Sequence, residues 1–161
     1  MKYFLGMEVA RSKQGIIISQ WKYTLDLLKE TGILGCKPRY TLERNWKYVK
    51  KDGDPPVDKE RYQRLVGRLI YLSLTRPDIA YAVSVVSQFI HTPTQQHLIT
   101  VYPILRYLKG TPGKGLMFQK SSERGVEDFS DSDWTRSMMD SRSTFGFCTK
   151  LWGNLVTWRS K

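Results

Sequence analysis

The stretch RYQRLVGRLIYLSLTRPDIAYAV, residues 61–83, decides the fold in the middle of the chain. Its apolar residues recur every three or four positions, which is the spacing that places side chains on one face of an α-helix. Arg61, Arg64 and Arg68 recur at the same spacing on another face. The pattern therefore predicts a helix over about Lys59 to Thr75 with one buried face and one basic face.

Two further helices are predicted downstream. Pro77 lies where a second helix can begin, because the first turn of a helix loses nothing from its missing N–H. A third helix is predicted to begin at Pro93 and Thr94 and to end at Gly110. Pro103 lies in the middle of that helix, where a proline removes a backbone hydrogen bond at a cost of about 3 kcal/mol. We therefore expect either a kink at Pro103 or a sequence that no longer supports the helix.

The segment before these helices is predicted to form a β-hairpin and a short helix. Tyr3–Ala10 and Gly15–Ser19 are apolar, β-branched and separated by a polar turn. Gly6 inside the first strand indicates a bulge or the close approach of another backbone. Ser19 can cap a helix over Trp21–Thr31.

Four strand-like segments follow the helices: Gly115–Gln119, Val126–Asp133, Ser143–Trp152 and Asn154–Ser160. Gly153 and Asn154 are typical of a two-residue hairpin turn. Strands without a covering helix do not make an independent fold, so the sheet is expected to be incomplete within these residues. Residues 36–59 show no clean periodicity and are predicted to form an extended loop.

The chain carries 26 Lys and Arg against 15 Asp and Glu, which gives a formal net charge of +11. All of this excess lies in residues 1–120, whereas residues 121–161 are balanced. Such a charge favours a polyanionic partner, nucleic acid before a membrane surface. The alternative is that the basic residues only keep the protein in solution.

Several other classes of function are disfavoured by the sequence. No apolar run approaches the roughly 18 residues of a membrane span, and no signal-peptide core follows Met1. We therefore expect an intracellular protein, cytoplasmic or nuclear and not secreted, with no membrane partner and no small-molecule substrate. Cys36 and Cys148 suggest free buried thiols rather than a zinc site. His91 and His97 are expected to be cap or surface residues.

Ordered motifs along the chain resemble the pol polyprotein of copia-type long-terminal-repeat retrotransposons, at the junction of reverse transcriptase and ribonuclease H. They are LVGRLIYLSLTRPDIAYAVSVVSQF, LRYLKGTPGKGL, FSDSDW with SRSTFGFC, and LWGNLVTWRSK. The resemblance implies an α+β fold: a β-hairpin plus a thumb-like helical bundle, followed by the first strands of an incomplete ribonuclease H-like sheet. Residues 1–114 would be the C-terminal part of a reverse transcriptase, with primer grip, thumb and connection-like region. Residues 115–161 would be the N-terminal strands of a truncated ribonuclease H-like domain.

The resemblance also implies a surface for duplex nucleic acid. The hairpin is similar to the primer grip, which holds the primer terminus, and its corresponding residues are Phe4, Leu5, Gly6 and Met7. The helix over Tyr62–Tyr71 resembles the first thumb helix, which lies along the minor groove of the template–primer duplex. The residues that would face nucleic acid there are Gln63, Arg64, Gly67, Arg68 and Tyr71.

On this mapping, Arg64 and Arg68 would neutralise phosphates of an RNA–DNA hybrid or a DNA duplex without reading bases. Binding should then tolerate any sequence and weaken strongly with salt. The alternative interpretation is that these arginines form a solvated helix face.

The catalytic groups of the family are mostly missing from the sequence. The polymerase carboxylates, including the YVDD motif, normally precede a sequence like KYFLG and do not occur here. Asp131 takes the position of the first metal-binding carboxylate of ribonuclease H, whereas Asp133 is not ordinarily counted among the four. Mg²⁺ serves the full-length family, but one ligand does not make a two-metal site, so no metal is expected to bind well. The simpler interpretation of both residues is an exposed acidic pair at a strand end.

The expected function is therefore duplex binding without catalysis by this chain alone, beside the remainder of the pol polyprotein. The question of enzyme activity stays open, because the family is RNA-directed DNA polymerase and ribonuclease H. One alternative is a protein-interaction module that derives from a decayed element and uses an open strand edge. Departures from the family pattern at Pro103, Asp128, Thr135-Arg136 and Phe145 suggest such decay. Another is an active polymerase or ribonuclease H, if the polypeptide is longer in vivo.

Overall fold

The computed structural model describes residues 2–42, 54–122, 124–133 and 144–160, and gives only the backbone of 131–133, 144, 145 and 160. Within this part of the chain, four α-helices and seven strands in two antiparallel sheets make an α+β arrangement. The helices are α1 (Trp21–Glu30), α2 (Lys59–Ser73), α3 (Ala80–Ser87) and α4 (Gln95–Gly110). The strands are β1 (Lys2–Phe4), β2 (Met7–Arg11), β3 (Gly15–Ser19), β4 (Gly115–Gln119), β5 (Val126–Asp133), β6 (Thr144–Leu151) and β7 (Asn154–Ser160). The middle of the predicted loop over 36–59, residues 43–53, lies outside the described residues.

Helix α2 carries the predicted buried stripe. It begins after Asp58, whose carboxylate caps it by accepting a hydrogen bond from the backbone N–H of Arg61 (3.1 Å). Its fully buried apolar residues are Val66, Leu69 and Leu72. Tyr62 is also fully buried, and its hydroxyl donates to the carbonyl oxygen of Val86 (2.8 Å). Burial raises the pKa of Tyr62 to about 12, so this hydroxyl stays a hydrogen-bond donor at neutral pH.

Among the described residues, the apolar core is built by the helices and contains no strand residue. Helix α4 contributes the largest share, and its buried residues include Leu98, Val101, Ile104, Leu105 and Leu108. The helix runs continuously through Pro103. Burying each such aliphatic side chain stabilises the fold by about 1.5–3 kcal/mol, so the neighbours of Pro103 offset its cost within the helix.

The predicted first strand is split into two strands by a tight turn. Leu5 (φ 48°) and Gly6 (φ 73°) both have left-handed backbone and connect β1 to β2, so the predicted bulge at Gly6 is wrong. The predicted cap of α1 is also wrong, because Ser19 ends β3 and Gln20 precedes the helix without a side-chain cap. Instead, the buried carboxylate of Glu8 accepts a hydrogen bond from the N–H of Lys22 in the first turn (3.1 Å).

The two sheets divide the strands differently from the prediction. The order of the first sheet is β1-β2-β3-β4, so Gly115–Gln119 pairs with β3 and does not start the later sheet as expected. The second sheet has the order β5-β6-β7. Its last hairpin turns at Trp152 and Gly153, one residue before the predicted turn, and both have positive φ. The division into domains at residue 114 otherwise stays a prediction.

Hydrogen bonds from the side chains of Trp158 and Asn154 attach the second sheet to the rest of the described structure. The indole N–H of Trp158 on β7 donates to the carbonyl oxygen of Ser73 at the end of α2 (3.0 Å). The side-chain amide of Asn154 accepts from the backbone N–H of Gln119 (2.7 Å) and donates to its carbonyl oxygen (3.0 Å). Between β7 and the helices α2 and α3 an open cavity of about 520 Å³ remains, so this seam is not closely packed.

The other expectations about burial are partly wrong. Cys36 is exposed and Cys148 is only half-buried. His97 is buried, stacks on Phe89 and accepts a hydrogen bond from the N–H of Thr94 at the start of α4 (2.9 Å), which agrees with a cap. None of the helices that the structure describes has the length and apolar character needed to cross a membrane.

Candidate nucleic-acid interface

The basic face of α2 borders an open cleft between α1, α2 and α4, with a volume of about 330 Å³. Three arginines line it, Arg61, Arg64 and Arg68, and they are opposed by one carboxylate, that of Glu30. The rest of the lining is mainly apolar, with leucines from all three helices. The cleft is therefore a positively charged groove with a largely apolar wall, which suits a bound anion.

Arg64 and Arg68 lie one helical turn apart but have different surroundings. Arg64 is exposed, and no described residue forms an ion pair with it. Arg68 has only 21% of its side chain exposed and donates a hydrogen bond to the carboxylate of Glu30, the last residue of α1. Its guanidinium also lies over the ring of Tyr23, 5.1 Å from the centroid. Partial burial acts to lower the pKa of Arg68, but the contacts with Tyr23 and Glu30 outweigh it and the pKa is raised.

Tyr71 connects this face of α2 to the first hairpin. Its hydroxyl donates to the carbonyl oxygen of Leu5 in the β1–β2 turn. Its ring meets Tyr23 edge to face, with centroids 5.2 Å apart. The hydroxyl of Tyr71 is therefore used within the protein, and it holds the turn against the helix.

The turn itself projects apolar side chains into solvent beside the basic face. Phe4 is 68% exposed and Leu5 is 70% exposed, whereas Met7 is half-buried. A Cβ at Gly6 would lie 3.8 Å from the hydroxyl of Tyr71, which is ordinary contact distance. Glycine is favoured at this position by its positive φ rather than by lack of space.

The remaining two predicted residues of α2 differ from each other. The side-chain amide of Gln63 donates to the carbonyl oxygen of Ile90 (3.1 Å), so it is directed towards the residues that follow α3. Gly67 is exposed, and a Cβ added to it would meet no described atom within 4 Å. The fold therefore gives no steric reason for glycine at residue 67, and the bare backbone is left open to an approaching surface.

Sequence reasoning missed the partners that fix this interface. Tyr23 and Glu30 are in α1, and Glu30 is 38 residues from Arg68 along the chain. Nothing local in the sequence marks either residue as a partner of α2. Only the fold, which places the end of α1 and the basic face of α2 along the same cleft, brings them together.

A second group of missed residues forms a polar network that joins the α2–α3 turn to the end of α4. Arg76 is 2% exposed, and its Nε and Nη2 atoms donate to the two carboxylate oxygens of Asp78 (2.9 and 2.8 Å). The same guanidinium donates to the carbonyl and hydroxyl oxygens of Thr111 (both 2.8 Å). Tyr107 donates to Asp78 from the other side (2.7 Å).

The charge state of Asp78 follows from this network. Burial acts to raise its pKa, but the hydrogen bonds from Arg76 and Tyr107 and the charges of Arg76 and Lys114 outweigh that effect. The pKa of Asp78 is therefore lowered and the carboxylate stays ionised. The sequence Arg-Pro-Asp at 76–78 could have predicted this ion pair, since it places both charges on one turn.

The structure gives the backbone of Asp131 but not the surroundings of its side chain. Asp131 pairs with Gly146 and Asp133 pairs with Thr144 between β5 and β6. In the described part of the chain, no three His, Cys, Asp or Glu side chains gather into a metal site. The role of Asp131 as a metal ligand therefore stays a prediction.

The chain is similar over its whole length to Pol polyproteins of plant transposons. It is 40% identical over 162 residues to the retrovirus-related Pol polyprotein from transposon RE1 of Arabidopsis thaliana; the alignment covers 100% of the chain and 11% of that relative. It is 34% identical over 167 residues to the retrovirus-related Pol polyprotein from transposon TNT 1-94 of Nicotiana tabacum, covering 98% of the chain and 12% of the relative.

A shorter relative is an uncharacterised mitochondrial protein of Arabidopsis thaliana. It is 41% identical over 162 residues, covering 99% of the chain and 66% of that protein. The chain therefore corresponds to a small part of the Pol polyproteins and to about two thirds of this relative. No protein-family model matches the chain, and no solved structure matches it.

Proposed function

Since the chain is similar over its whole length to retrovirus-related Pol polyproteins from plant transposons, we propose that it derives from a copia-type Pol polyprotein and binds duplex nucleic acid through the phosphate backbone. The segment would be the primer-grip, thumb and connection-like region of a reverse transcriptase running into the start of ribonuclease H. Its partners would be a template–primer or RNA–DNA duplex and the remainder of the Pol polyprotein. It would not catalyse alone.

The observation that carries this proposal is the arrangement of the arginine cleft beside the exposed hairpin turn. Arg61, Arg64 and Arg68 line one open groove, and Tyr71 holds the turn of Phe4 and Leu5 next to the same helix. A cationic groove with an apolar projection beside it supports binding to a polymer that has a charged backbone and apolar bases.

The helix geometry suits contact with two nearby phosphates of one strand. Residues four apart on a helix are separated by about 6 Å along its axis. Phosphates of one strand rise by about 3.4 Å per nucleotide. Arg64 and Arg68 would therefore reach phosphates about two nucleotides apart on one strand. Such contacts carry no base information, so sequence would not affect affinity.

The exposed turn would contribute a different kind of contact. The ring of Phe4 and the side chain of Leu5 have no apolar cover in the described structure, since each is about two thirds exposed. An aromatic side chain that stacks on a base typically stabilises the complex by about 1–3 kcal/mol. The turn would lie against a strand end or a sugar while the arginines hold the backbone.

One observation favours an alternative function as a protein-interaction module. β5 is an edge strand of the second sheet, and its Val126 and Phe129 are 65% and 49% exposed. An uncovered strand edge with apolar side chains can pair with a strand of another protein. Binding to duplexes should be independent of substitutions in β5, which separates the two functions.

The proposed function is tested by titrating an RNA–DNA hybrid at several salt concentrations and measuring fluorescence anisotropy. Arg64→Gln removes one cleft arginine, and Arg124→Gln removes an exposed arginine before β5 as the matched control. If Arg64 contacts a phosphate, Arg64→Gln should weaken binding and reduce the log–log salt slope by about 0.9. Equal effects of the two substitutions, or binding that does not depend on salt, would refute the proposal.

A further inference from the structure

We propose that Glu30 competes with phosphate for Arg68, so that Arg68 exchanges its carboxylate partner for a phosphate when a duplex enters the cleft. This inference rests on the proposed function and adds a residue that determines the affinity of the same site. Glu30 belongs to none of the motifs that point to nucleic acid. Its role follows from its position in the folded cleft.

The geometry allows such an exchange. The Glu30 carboxylate is 60% exposed, and the Arg68 guanidinium that donates to it lines the same open cleft. An ion pair with this exposure is weak, because water and salt compete with it. A phosphate presents several oxygens to a guanidinium and can form a bidentate pair, which is stronger than a single contact.

The position of Arg68 is preserved during the exchange. Its guanidinium lies over the ring of Tyr23, and that ring is held edge to face by Tyr71. Neither contact uses the carboxylate of Glu30. Arg68 can therefore remain on Tyr23 while its hydrogen bonds change from Glu30 to phosphate, so no rearrangement of α2 is required.

The charges around Glu30 explain why it would compete with phosphate for Arg68 rather than only repel the phosphate. Of the residues that line the cleft, Glu30 is the only carboxylate, and Arg61 and Arg64 lie on the facing helix. Arg64 has no described ion-pair partner, so it is available to the first phosphate without any exchange. Arg68 becomes available only when Glu30 releases it, and this step limits the number of phosphate contacts.

The test is a double-mutant cycle between Glu30 and Arg68, measured as affinity for an RNA–DNA hybrid. The variants are Glu30→Gln, Arg68→Gln and the double variant, with Glu127→Gln on β5 as the control for loss of one negative charge. Glu30→Gln should raise the affinity about two- to fivefold, which corresponds to the strength of an exposed ion pair. The log–log salt slope should steepen by up to about 0.9 as Arg68 gains a phosphate contact.

The decisive comparison is the effect of Glu30→Gln when Arg68 is absent. In the Arg68→Gln background the effect should fall to the small effect of Glu127→Gln, because Arg68 is no longer there for Glu30 to release. A gain that persists without Arg68 would mean that Glu30 only repels phosphate, and it would overturn the inference. Thermal melting checks that each variant is folded, and Glu30→Ala replaces Glu30→Gln if the latter is not.

The inference and the proposed function fail in different ways. If Arg64→Gln weakens binding but Glu30→Gln has no more effect than Glu127→Gln, the competitor role is wrong and the duplex-binding function stands. If the unmodified protein does not bind the hybrid at low salt, the proposed function is refuted, and the inference with it.

Discussion

Replacing Arg76 by Met should strongly destabilise the fold, because it removes the centre of the network between α2, α3 and α4. The substitution deletes four hydrogen bonds, two to Asp78 and two to Thr111. Removing one partner of a buried ion pair typically costs about 3–5 kcal/mol. Asp78 keeps the hydrogen bond from Tyr107, and its side chain is 29% exposed, so a value near the lower limit, about 3 kcal/mol, is expected.

The measurement is the free energy of unfolding from urea denaturation, with thermal melting alongside. For a chain of this size, a loss of about 3 kcal/mol should lower the melting temperature by about 6–12 °C. Arg106→Met is a matched control, since Arg106 is on α4 and has an exposed hydrogen bond to the carbonyl oxygen of Lys37 (2.8 Å). It should cost less than about 1 kcal/mol. If both substitutions cost the same, the network does not stabilise the fold as reasoned.

Two further predictions concern stability. Because the pKa of Asp78 is lowered, its contribution to the free energy of unfolding is present above the ordinary Asp pKa of about 3.9 and is lost as the pH falls through the lowered value. The free energy of unfolding, measured between pH 2 and 7, should therefore fall at acid pH, and it should fall less in Asp78→Asn. Identical pH profiles of the two proteins would contradict this. Pro103→Ala restores the backbone N–H within α4 and so removes the cost of a mid-helix proline, about 3 kcal/mol. Loss of the ring's packing offsets part of this gain, so the free energy of unfolding should rise by about 1–2 kcal/mol. A decrease in urea stability would show that the ring packing outweighs the missing hydrogen bond.

The helices could be predicted from sequence because their determinants are local. In α2 the apolar period, the capping Asp58 and the arginine face all lie within a few turns. The same is true of the start of α4, where Thr94 and His97 are three residues apart. The continuity of α4 through the half-buried Pro103 could not be predicted in this way, because a proline inside a helix by itself indicates a kink or an end.

The strands were harder to predict because their pairing is not local. β4 pairs with β3, which lies about 100 residues earlier in the chain. No local pattern distinguishes this pairing from pairing of β4 with β5. The split at Leu5 was missed because leucine has no preference for positive φ. In the candidate interface, the arginine face could be predicted, whereas Glu30 and Tyr23 could not, since they meet Arg68 only through long-range contacts made in the fold.

The loosely packed contact between β7 and the helices affects how this protein unfolds locally. The apolar core is formed by the helices, and the second sheet meets them across an open cavity. Hydrogen bonds of Trp158 and Asn154 hold the sheet in place. Backbone amides of β5 and β6 should thus exchange with solvent through fluctuations that leave the helical unit closed. Damage to the sheet would then leave the arginine groove intact.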